Sequence, residues 1–407
     1  MDSVKKTILI FGAGLNQVEL IKAARELGVT SVVVDPMENP PGAALADFYY
    51  RVGGQDYART KEIALHHHVD GIVTAQMEKP LRIMAKLAKE LGFIFNSPSV
   101  IEQCRNKYLM KCAFEKGGIP CAKGLLFSKD VKPALSELSK NGLTFPLIIK
   151  PVDAFSSRGV YKVNDIDELL MHIDETSSFA TNGEYLIEEF IEGNEYSVEA
   201  ITFKGNTHII QITEKFTTPY PRTVELGHLQ PARITDLQKN IIQVALVNAI
   251  KALGIDNTAT HMELKINNDV VKIIEIGARL GGDFISSYLT KASTGVSMDK
   301  AAIQVALGYA PDVTPNKHAV SFIRYIELPE RNTVKNVLPL DDINSMPEVV
   351  FAHMYVKPGD VIQPIEHSAQ RPACFILTGN TWEQVKNTAV MVEHKLKRLI
   401  IREDNVN

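Results

Sequence analysis

The feature that most constrains the fold of this chain is the alternation of short apolar runs with helical patterns in its N-terminal quarter. The predicted strands are residues 8–11, 31–35 and 71–74, and the predicted helices are residues 18–27 and 81–91. Apolar strands joined by helical crossovers are typical of a parallel sheet that is covered on both faces. We therefore expect an α/β domain at the start of the chain.

A different pattern begins after Pro146. Apolar and alternating segments there predict a mixed sheet, and a polar cluster at residues 267–269 predicts the turn of a hairpin. Helices are predicted at residues 236–253 and 382–399. Because 407 residues exceed one ordinary core, several domains are expected. We predict a Rossmann-like α/β domain at 1–100, an α+β domain at 101–310 and a small C-terminal α+β domain at 311–407.

The bulk composition argues against some classes of function. A net charge of -4 is not typical of a protein that binds nucleic acid through its overall charge. No apolar stretch is long enough to span a bilayer, and glycines interrupt the first apolar run too early for a signal peptide. The cysteines lack CxxC spacing, which favours reduced thiols. We expect a cytoplasmic protein without nucleic-acid or membrane partners.

The glycine-rich turn after the first predicted strand is similar to a dinucleotide-binding fingerprint. Gly12 and Gly14 open a helix, and Asp35 ends the next strand. However, Gln17 stands where a third glycine would allow the helix to pack closely on the strand. The pattern leaves two interpretations, an NAD(P) site or a tight turn that binds no dinucleotide, and we favour the second.

A lysine and a small-residue loop form the first candidate phosphate site. Lys150 ends an apolar strand, and Ser156, Ser157 and Gly159 follow in a loop before the next strand. A lysine at a strand end, facing such a loop, brings a cation and several backbone amides to a polyphosphate. The alternative is a solvated lysine at the edge of a sheet.

An acidic segment follows the next predicted strand. Glu188 and Glu189 end this strand, and a glycine turn leads back into a second strand at Glu195. Backbone groups that emerge from a strand can pair with an adenine edge, and a carboxylate beyond the turn can accept hydrogen bonds from ribose hydroxyls. The alternative is an acidic surface hairpin.

The predicted hairpin around residues 267–269 carries the sharpest signal. Its spacing places Glu263 and Glu275 at or near opposite positions on paired strands. Like charges that face each other are unfavourable, and a divalent cation bound by both carboxylates would remove the repulsion. Oxygen ligands suit Mg²⁺ on a nucleotide. In the alternative interpretation, one of the two side chains points to solvent.

The order of these features along the chain resembles the ATP-grasp superfamily: a lysine, a lysine with a loop, an acidic hinge, paired glutamates and an arginine. In the order of these motifs the chain most resembles carboxylate–amine ligases related to carbamoyl-phosphate synthase, purine-pathway ligases and bacterial L-amino acid ligases. The resemblance implies a pre-ATP-grasp domain at 1–100, a central ATP-grasp fold and a C-terminal segment like that of some members.

The resemblance also implies a role for individual residues. Mg²⁺, or Mn²⁺ in its place, would be bound by Glu263 and Glu275, and Arg279 with Gly281 and Gly282 would face the reacting groups. The residues implied to bind ATP are Lys107, Lys150, Ser156, Ser157, Gly159, Glu188, Glu189, Phe190, Ile191 and Glu195.

Three further residues are candidates for substrate contact or catalysis. Glu78 follows the strand at 71–74, at the edge where open α/β sheets bind ligands. Lys215 and His228 lie in residues 214–232, which we predict to be a long irregular loop, and such loops commonly carry function. For His228 the alternative is a structural hydrogen bond.

The function implied is an ATP-dependent ligase that activates a small carboxylate as an acyl phosphate and couples it to an amine. Related ligases are often homodimers. Two departures from the family pattern leave room for a weak ATP-binding module: Gly277 replaces a common asparagine, and the loop contains Asp153, Ala154 and Phe155 where small residues are frequent. Two more functions compete with the ligase, an NAD(P)-dependent oxidoreductase and, ranked lower, a biotin-dependent carboxylase subunit.

Overall fold

The computed structural model of the chain describes residues 5–155, 157–220, 223–328 and 330–403. Its first part contains β1 (Thr7–Phe11), α1 (Val18–Glu26), β2 (Thr30–Asp35), β3 (Phe48–Arg51), α2 (Tyr57–His66), β4 (Gly71–Thr74) and α3 (Leu81–Leu91). The strands form a parallel sheet in the order β3-β2-β1-β4. Leu9 of β1 packs in one hydrophobic core and Ile8 in another, so the sheet is covered on both faces, as predicted.

The second part builds a small antiparallel sheet. It contains α4 (Pro98–Arg105), α5 (Lys107–Lys116), β5 (Gly124–Ser128), α6 (Leu135–Lys140), β6 (Leu147–Pro151), β7 (Tyr161–Val163), α7 (Ile166–Ser178) and β8 (Glu184–Glu189). The strand order is β5-β8-β6-β7. Leu147 and Ile149 of β6 pack with Ile173 of α7 in a separate core. Because side chains alternate along a strand, Ile148 and Lys150 point away from that core.

The third part supplies most of the strands of a large sheet. It contains β9 (Asn194–Phe203), β10 (Asn206–Thr217), β11 (Glu225–Gln230), α8 (Asp236–Leu253), β12 (Thr258–Asn267), β13 (Val270–Gly277), α9 (Thr290–Thr294) and α10 (Met298–Ala306). A π-helical turn, Ile285–Leu289, precedes α9. The hairpin predicted around residues 267–269 is confirmed as β12–β13.

Our prediction of an irregular loop at residues 214–232 is wrong. Most of this stretch belongs to β10 and β11, which pair antiparallel. The strands are hard to recognise because several of their buried side chains are polar, among them Lys215, His228 and Gln230. Polar residues on the inward face hide the apolar alternation by which a half-buried strand is recognised.

The last part extends the large sheet. It contains β14 (Val320–Tyr325), β15 (Asn332–Val337), α11 (Asp341–Asn344), β16 (Val349–Met354), β17 (Val361–Ile362), β18 (Ala373–Gly379), α12 (Trp382–Leu399) and β19 (Ile400–Arg402). The full order of this eight-stranded sheet is β13-β12-β9-β10-β11-β14-β18-β16. The mixture of α/β and α+β parts that we predicted is confirmed, whereas the boundary at residue 310 stays a prediction, since one sheet has strands on both sides of it.

One face of the large sheet is polar, and we call it the polar face. On β9 its residues alternate with Val198 and Ala200, which belong to a hydrophobic core that includes α8. Directly paired residues of neighbouring strands share a face. By this register and by contact the polar face comprises Glu195, Ser197, Glu199, Lys215, His228, His261, Glu263, Lys265 and Glu275.

Across the described ranges, the helices are either too short or too polar to cross a lipid bilayer.

Candidate functional site

A cavity lies between the polar face and the small sheet, and its empty volume of about 930 Å³ includes space that is open to solvent. Charged and apolar side chains both line it, as is typical of sites for small ligands. Much of the predicted ATP and metal set lines it, namely Lys107, Lys150, Ser157, Glu188, Glu189, Phe190, Ile191, Glu195, Glu263 and Glu275. Ser156 lies outside the described residues.

The remaining predicted residues surround this cavity without lining it. They are Glu78, Gly159, Lys215, His228, Arg279, Gly281 and Gly282. Lys215 contacts the lining side chains of Glu195, Glu225 and Glu263. Arg279 and His228 belong to two neighbouring ion-pair clusters that are described below.

A buried carboxylate between two lysines forms the small-sheet wall of the cavity. Lys150 Nζ lies 2.5 Å from Glu188 Oε1, and Lys111 Nζ lies 2.7 Å from Glu188 Oε2. Burial opposes the charge on Glu188, but both ammonium groups outweigh it and hold the pKa of this carboxyl below its usual value. Two lysines and one carboxylate leave an excess positive charge, which favours a polyphosphate.

The hinge of the cavity is more apolar. The chain leaves β8 through Phe190 and Ile191, and Lys265 Nζ donates to the Ile191 carbonyl over 3.2 Å. The Phe190 ring meets the Tyr220 ring edge-on, with centroids 5.1 Å apart. Ile148 and Ile274 line the same space. Flat apolar side chains with nearby backbone polar groups suit an aromatic base.

The paired glutamates are in the predicted register. Glu263 on β12 lies directly opposite Glu275 on β13, and both line the cavity. Lys215 Nζ lies 2.9 Å from Glu263 Oε1, and Lys107 Nζ lies 3.0 Å from Glu275 Oε2. Burial raises the pKa of Glu263, but Lys215 and His261 outweigh it and hold this pKa well below its usual value. Glu263 is therefore available as a charged oxygen donor.

Magnesium at this position would need ligands other than protein side chains. The described ranges contain no cluster of three or more His, Cys, Asp or Glu side chains arranged to hold a metal ion. Mg²⁺ in nucleotide sites commonly takes one or two carboxylates together with phosphate oxygens and water. Glu263 and Glu275 fit that donor set.

Lys215 connects three carboxylates of the polar face. Its Nζ lies 2.6 Å from Glu195 Oε1, 2.9 Å from Glu263 Oε1 and 3.5 Å from Glu225 Oε1. Burial would lower the pKa of Lys215, but these carboxylates raise it well above its usual value. Lys215 therefore stays charged and holds the carboxylates together.

A second buried network, formed by Glu199, His261 and Ser286, contacts Glu263. Glu199 is fully buried, and its Oε1 lies 2.6 Å from His261 Nδ1. His261 Nε2 lies 3.4 Å from Glu263 Oε1, and Ser286 Oγ donates to Glu199 Oε2 over 3.1 Å. Burial lowers the pKa of His261, but Glu199 and Glu263 outweigh it and raise this pKa to about 9. Glu199 and His261 are functional candidates that we did not predict.

The candidate catalytic arginine is held by the candidate substrate residue. Arg279 Nε donates to Glu78 Oε1 over 2.7 Å, and Arg279 Nη1 donates to the Leu280 carbonyl over 3.0 Å. A Cβ atom on Gly277 would lie 3.2 Å from Glu78 Oε1. An asparagine at this position would therefore require the Glu78 side chain to shift by a few tenths of an ångström.

The candidate catalytic histidine belongs to a third cluster. His228 Nε2 lies 3.2 Å from Asp283 Oδ2, and Arg371 forms two hydrogen bonds of 2.8 Å with the oxygens of Asp283. Arg371 comes from the C-terminal part of the chain, between β17 and β18. Neither Asp283 nor Arg371 was predicted, because nothing in the local sequence links positions so far apart.

The loop after Lys150 reaches over the cavity. Lys107 Nζ donates to the Ala154 carbonyl over 2.9 Å, and the Phe155 side chain lines the cavity. Ser157 and Gly159 both have positive φ, 54° and 70°. This backbone form is unfavourable for serine, so the turn is tightly shaped where it covers the cavity.

The N-terminal glycine turn is filled by protein atoms. The Ala13 amide donates to Asp35 Oδ2 over 2.8 Å, and Gln17 Nε2 donates to the Ala75 carbonyl over 2.8 Å. A side chain on Gly12 would overlap the sulfur of Met77. Asp35 thus stabilises the turn itself, and this geometry does not favour the dinucleotide interpretation.

Comparisons with known proteins identify two domain families in the chain. Residues 143–287 match the ATP-grasp domain family, and residues 324–397 match L-amino acid ligase C-terminal domain 2. The chain is 28% identical over 235 residues to alanine–anticapsin ligase of Bacillus subtilis, a match that covers 52% of this chain and 48% of that protein. The chain therefore matches about half the length of this relative.

Two solved structures have the same fold. The L-amino acid ligase from Bacillus licheniformis superposes with a TM-score of 0.83 at 22% identity, covering 99% of this chain and 100% of that one. Phosphoribosylglycinamide synthetase from Anaerococcus prevotii gives a TM-score of 0.78 at 22% identity, covering 98% and 100%. The chain therefore contains an ATP-grasp domain, followed by a C-terminal domain of the L-amino acid ligase type.

Proposed function

We propose that this protein is an ATP-dependent ligase that joins a small carboxylate to an amine. The observation that carries the proposal is the pairing of Glu263 with Glu275 in a cavity that Lys107 and Lys150 also line. This arrangement combines metal-binding carboxylates with cations for a polyphosphate. Such a combination is typical of phosphoryl transfer, in which positioning and charge stabilisation supply most of the catalysis.

In this proposal ATP lies in the cavity with its adenine at the hinge. Phe190 and Ile191 contact the base, Glu195 accepts from the ribose, and Lys107 and Lys150 hold the phosphates. Ser157 and its neighbours cover the phosphates from above. Glu263 and Glu275 would hold Mg²⁺, which would supply charge neutralisation on the phosphates.

The chemistry then proceeds in two steps. A carboxylate oxygen of the first substrate attacks the γ-phosphorus, the bond to ADP breaks, and an acyl phosphate forms. Arg279, held by Glu78, stabilises charge on the transferred group. An amine then attacks the acyl carbon, and phosphate leaves. Residues 154–158 exclude water between the two steps, because water would hydrolyse the acyl phosphate.

The first substrate is proposed to be an amino acid. Support comes from the similarity to alanine–anticapsin ligase and from the C-terminal domain of L-amino acid ligase type. The identity of the amine and a homodimeric state stay predictions.

Nucleotide binding is tested first, by thermal denaturation with ATP, ADP, NAD and NADP, each with and without Mg²⁺. A ligand that binds the native state raises the melting temperature. We expect Mg²⁺-dependent stabilisation by ATP and ADP that Glu275→Gln largely removes, while the surface variant Glu62→Gln retains it. Stabilisation by NAD or NADP alone would overturn the proposal.

Acyl phosphate formation is tested with hydroxylamine, which traps acyl phosphates as hydroxamates. Single L-amino acids are incubated with ATP, Mg²⁺ and hydroxylamine, and hydroxamate is measured by its iron(III) complex. We expect an ATP-dependent hydroxamate with at least one amino acid, and none with Glu263→Gln. Nucleotide binding without hydroxamate or phosphate release from any acid would instead favour the weak ATP-binding module.

A further inference from the structure

The described charged side chains of the polar face are almost all engaged with partners. Glu195, Glu225 and Glu263 share Lys215, and Glu275 pairs with Lys107. His261 uses both ring nitrogens, on Glu199 and on Glu263. These groups are committed to holding the site together.

His228 differs from them in one atom. Its side chain is almost completely buried, and its Nδ1 has no hydrogen-bond partner in the described structure. A buried nitrogen that lacks a partner is unfavourable, and a role in binding or catalysis is one explanation for it. His228 lies opposite Lys215 across the β10–β11 ladder, and Lys215 contacts three carboxylates that line the cavity.

The contact of the other ring nitrogen determines which nitrogen of His228 carries the proton. Nε2 faces Asp283 Oδ2. Burial opposes ionisation of Asp283, but Arg371 and His228 outweigh it and hold the pKa of this carboxyl well below its usual value. An ionised carboxylate only accepts hydrogen bonds, so in the neutral imidazole Nε2 carries the proton and Nδ1 presents a lone pair.

Arg371 determines where Asp283 lies. Its two hydrogen bonds to the carboxylate oxygens form a bidentate fork. The guanidinium itself is fixed by the Glu225 and Ser368 carbonyls, and it stacks 3.6 Å above the Tyr325 ring. Asp283 also has a positive φ of 50°, which an aspartate retains only when its surroundings hold it.

We propose that Arg371 is a positioning residue for the amine step, holding Asp283 so that His228 Nδ1 accepts the proton of the attacking ammonium group. This inference rests on the proposed ligase function. The ammonium group transfers one proton to Nδ1, and the lone pair so released forms the C–N bond. The C–O bond to phosphate then breaks with its electron pair leaving on phosphate, and the second proton of the nitrogen passes to the departing phosphate. His228 then returns the proton to phosphate or water.

Asp283 is suitably placed to link the two ends of the site. It follows Arg279, at the phosphoryl end, by four residues, and the Gly281–Gly282 turn separates them. On the other side it contacts an arginine of the C-terminal part. That part of the chain therefore contributes, through Arg371, to the environment of the second substrate.

The test separates the two steps by the nucleophile. Hydroxylamine is largely uncharged near neutral pH and needs no base, whereas an amino acid amine enters as an ammonium group. Arg371→Gln and Arg371→Lys are compared using the acid found in the hydroxamate screen. Arg324→Gln serves as the control, because Arg324 forms partly exposed ion pairs with Glu327 and Glu393 in the same part of the chain.

We expect Arg371→Gln to form hydroxamate at nearly the unaltered rate but to lose about 10- to 100-fold in kcat for peptide formation, the usual range for a lost supporting partner. Arg371→Lys restores part of the rate, and Arg324→Gln is unaffected. ADP with Mg²⁺ stabilises all three variants as it does the unaltered protein.

Two results would overturn the inference. Equal losses of hydroxamate and peptide formation assign Arg371 a purely structural role, and no loss in either assigns it none in the reaction. Failure of the unaltered protein to form any hydroxamate contradicts the ligase function itself, so the two failures are distinguishable.

Discussion

Gly281 packs so closely on Glu199 that a methyl group at its Cα would lie 2.5 Å from Glu199 Oε2 and 2.7 Å from His261 Nδ1. The Gly281 amide also donates to Ser286 Oγ over 2.7 Å, and Ser286 in turn donates to Glu199. The segment after Arg279 is therefore seated on the buried network that supports Glu263.

This contact predicts unequal effects for two adjacent glycines. Gly281→Ala forces Glu199 and His261 apart, and we expect it to cost about 1–3 kcal/mol of unfolding free energy and to reduce Mg²⁺-dependent stabilisation by ATP. Gly282→Ala is the matched control, because no atom lies within 4 Å of a Cβ there. Urea denaturation and nucleotide thermal shifts of both variants measure the difference. Similar behaviour of the two would contradict the role assigned to this contact.

The buried Lys111–Glu188–Lys150 cluster predicts a large loss of stability when its carboxylate is neutralised. Glu188→Gln leaves two buried ammonium groups without a counter-charge, and we expect a loss of about 3–5 kcal/mol. Its neighbour Glu189 forms a partly exposed pair with Lys272, so Glu189→Gln is expected to cost about 0–1 kcal/mol. Chemical denaturation at neutral pH compares them. A loss no greater for Glu188→Gln than for Glu189→Gln would show that the cluster tolerates its net charge.

Asp299, at the start of α10, predicts a pH-dependent penalty on stability. Burial, helped by Glu19, raises its pKa from 3.8 to about 7, so between these values the folded protein holds a proton that the unfolded chain releases. Stability falls as pH rises through this window, and the penalty is complete above pH 7.

We therefore expect Asp299→Asn to become progressively more stable than the natural protein from about pH 4 to about pH 8, by roughly 1.4 kcal/mol per unit of pKa shift at most. Melting temperatures across this range measure the difference between the two proteins. The exposed Asp312, replaced by asparagine, is the control and should show no such trend. A constant difference between Asp299→Asn and the natural protein would mean that Asp299 is not protonated on folding.

Local pattern was sufficient to predict the elements that form the two sides of the cavity. The turn at residues 267–269 sets the register of the hairpin as far as Leu264, and a shift in register between Leu264 and Glu263 then brings Glu263 directly opposite Glu275. The strand that carries Lys150 was equally visible, because its neighbours are apolar. The recognition of an ATP-grasp protein followed from the order of such elements and is confirmed.

The partners of these residues could not be predicted in the same way. Glu199 meets His261 across a strand pair separated by 62 residues, and Arg371 meets Asp283 across 88. Such contacts depend on the packing of whole elements and leave no trace in local spacing. Lys215 and His228 were singled out, but on the expectation of a loop, whereas they belong to paired strands with buried polar side chains.

The continuation of the large sheet from β11 into β14 matters for anyone who wishes to exchange parts between relatives. The C-terminal part is integrated into the rest of the protein, because its strand β14 pairs with the backbone of His228 and its Arg371 binds Asp283. A graft made at the chain connection near residue 310 would have to reproduce both the strand register and this arginine. We therefore expect the preference for the amine substrate to be transferred only when the segments on both sides of this connection come from the same relative.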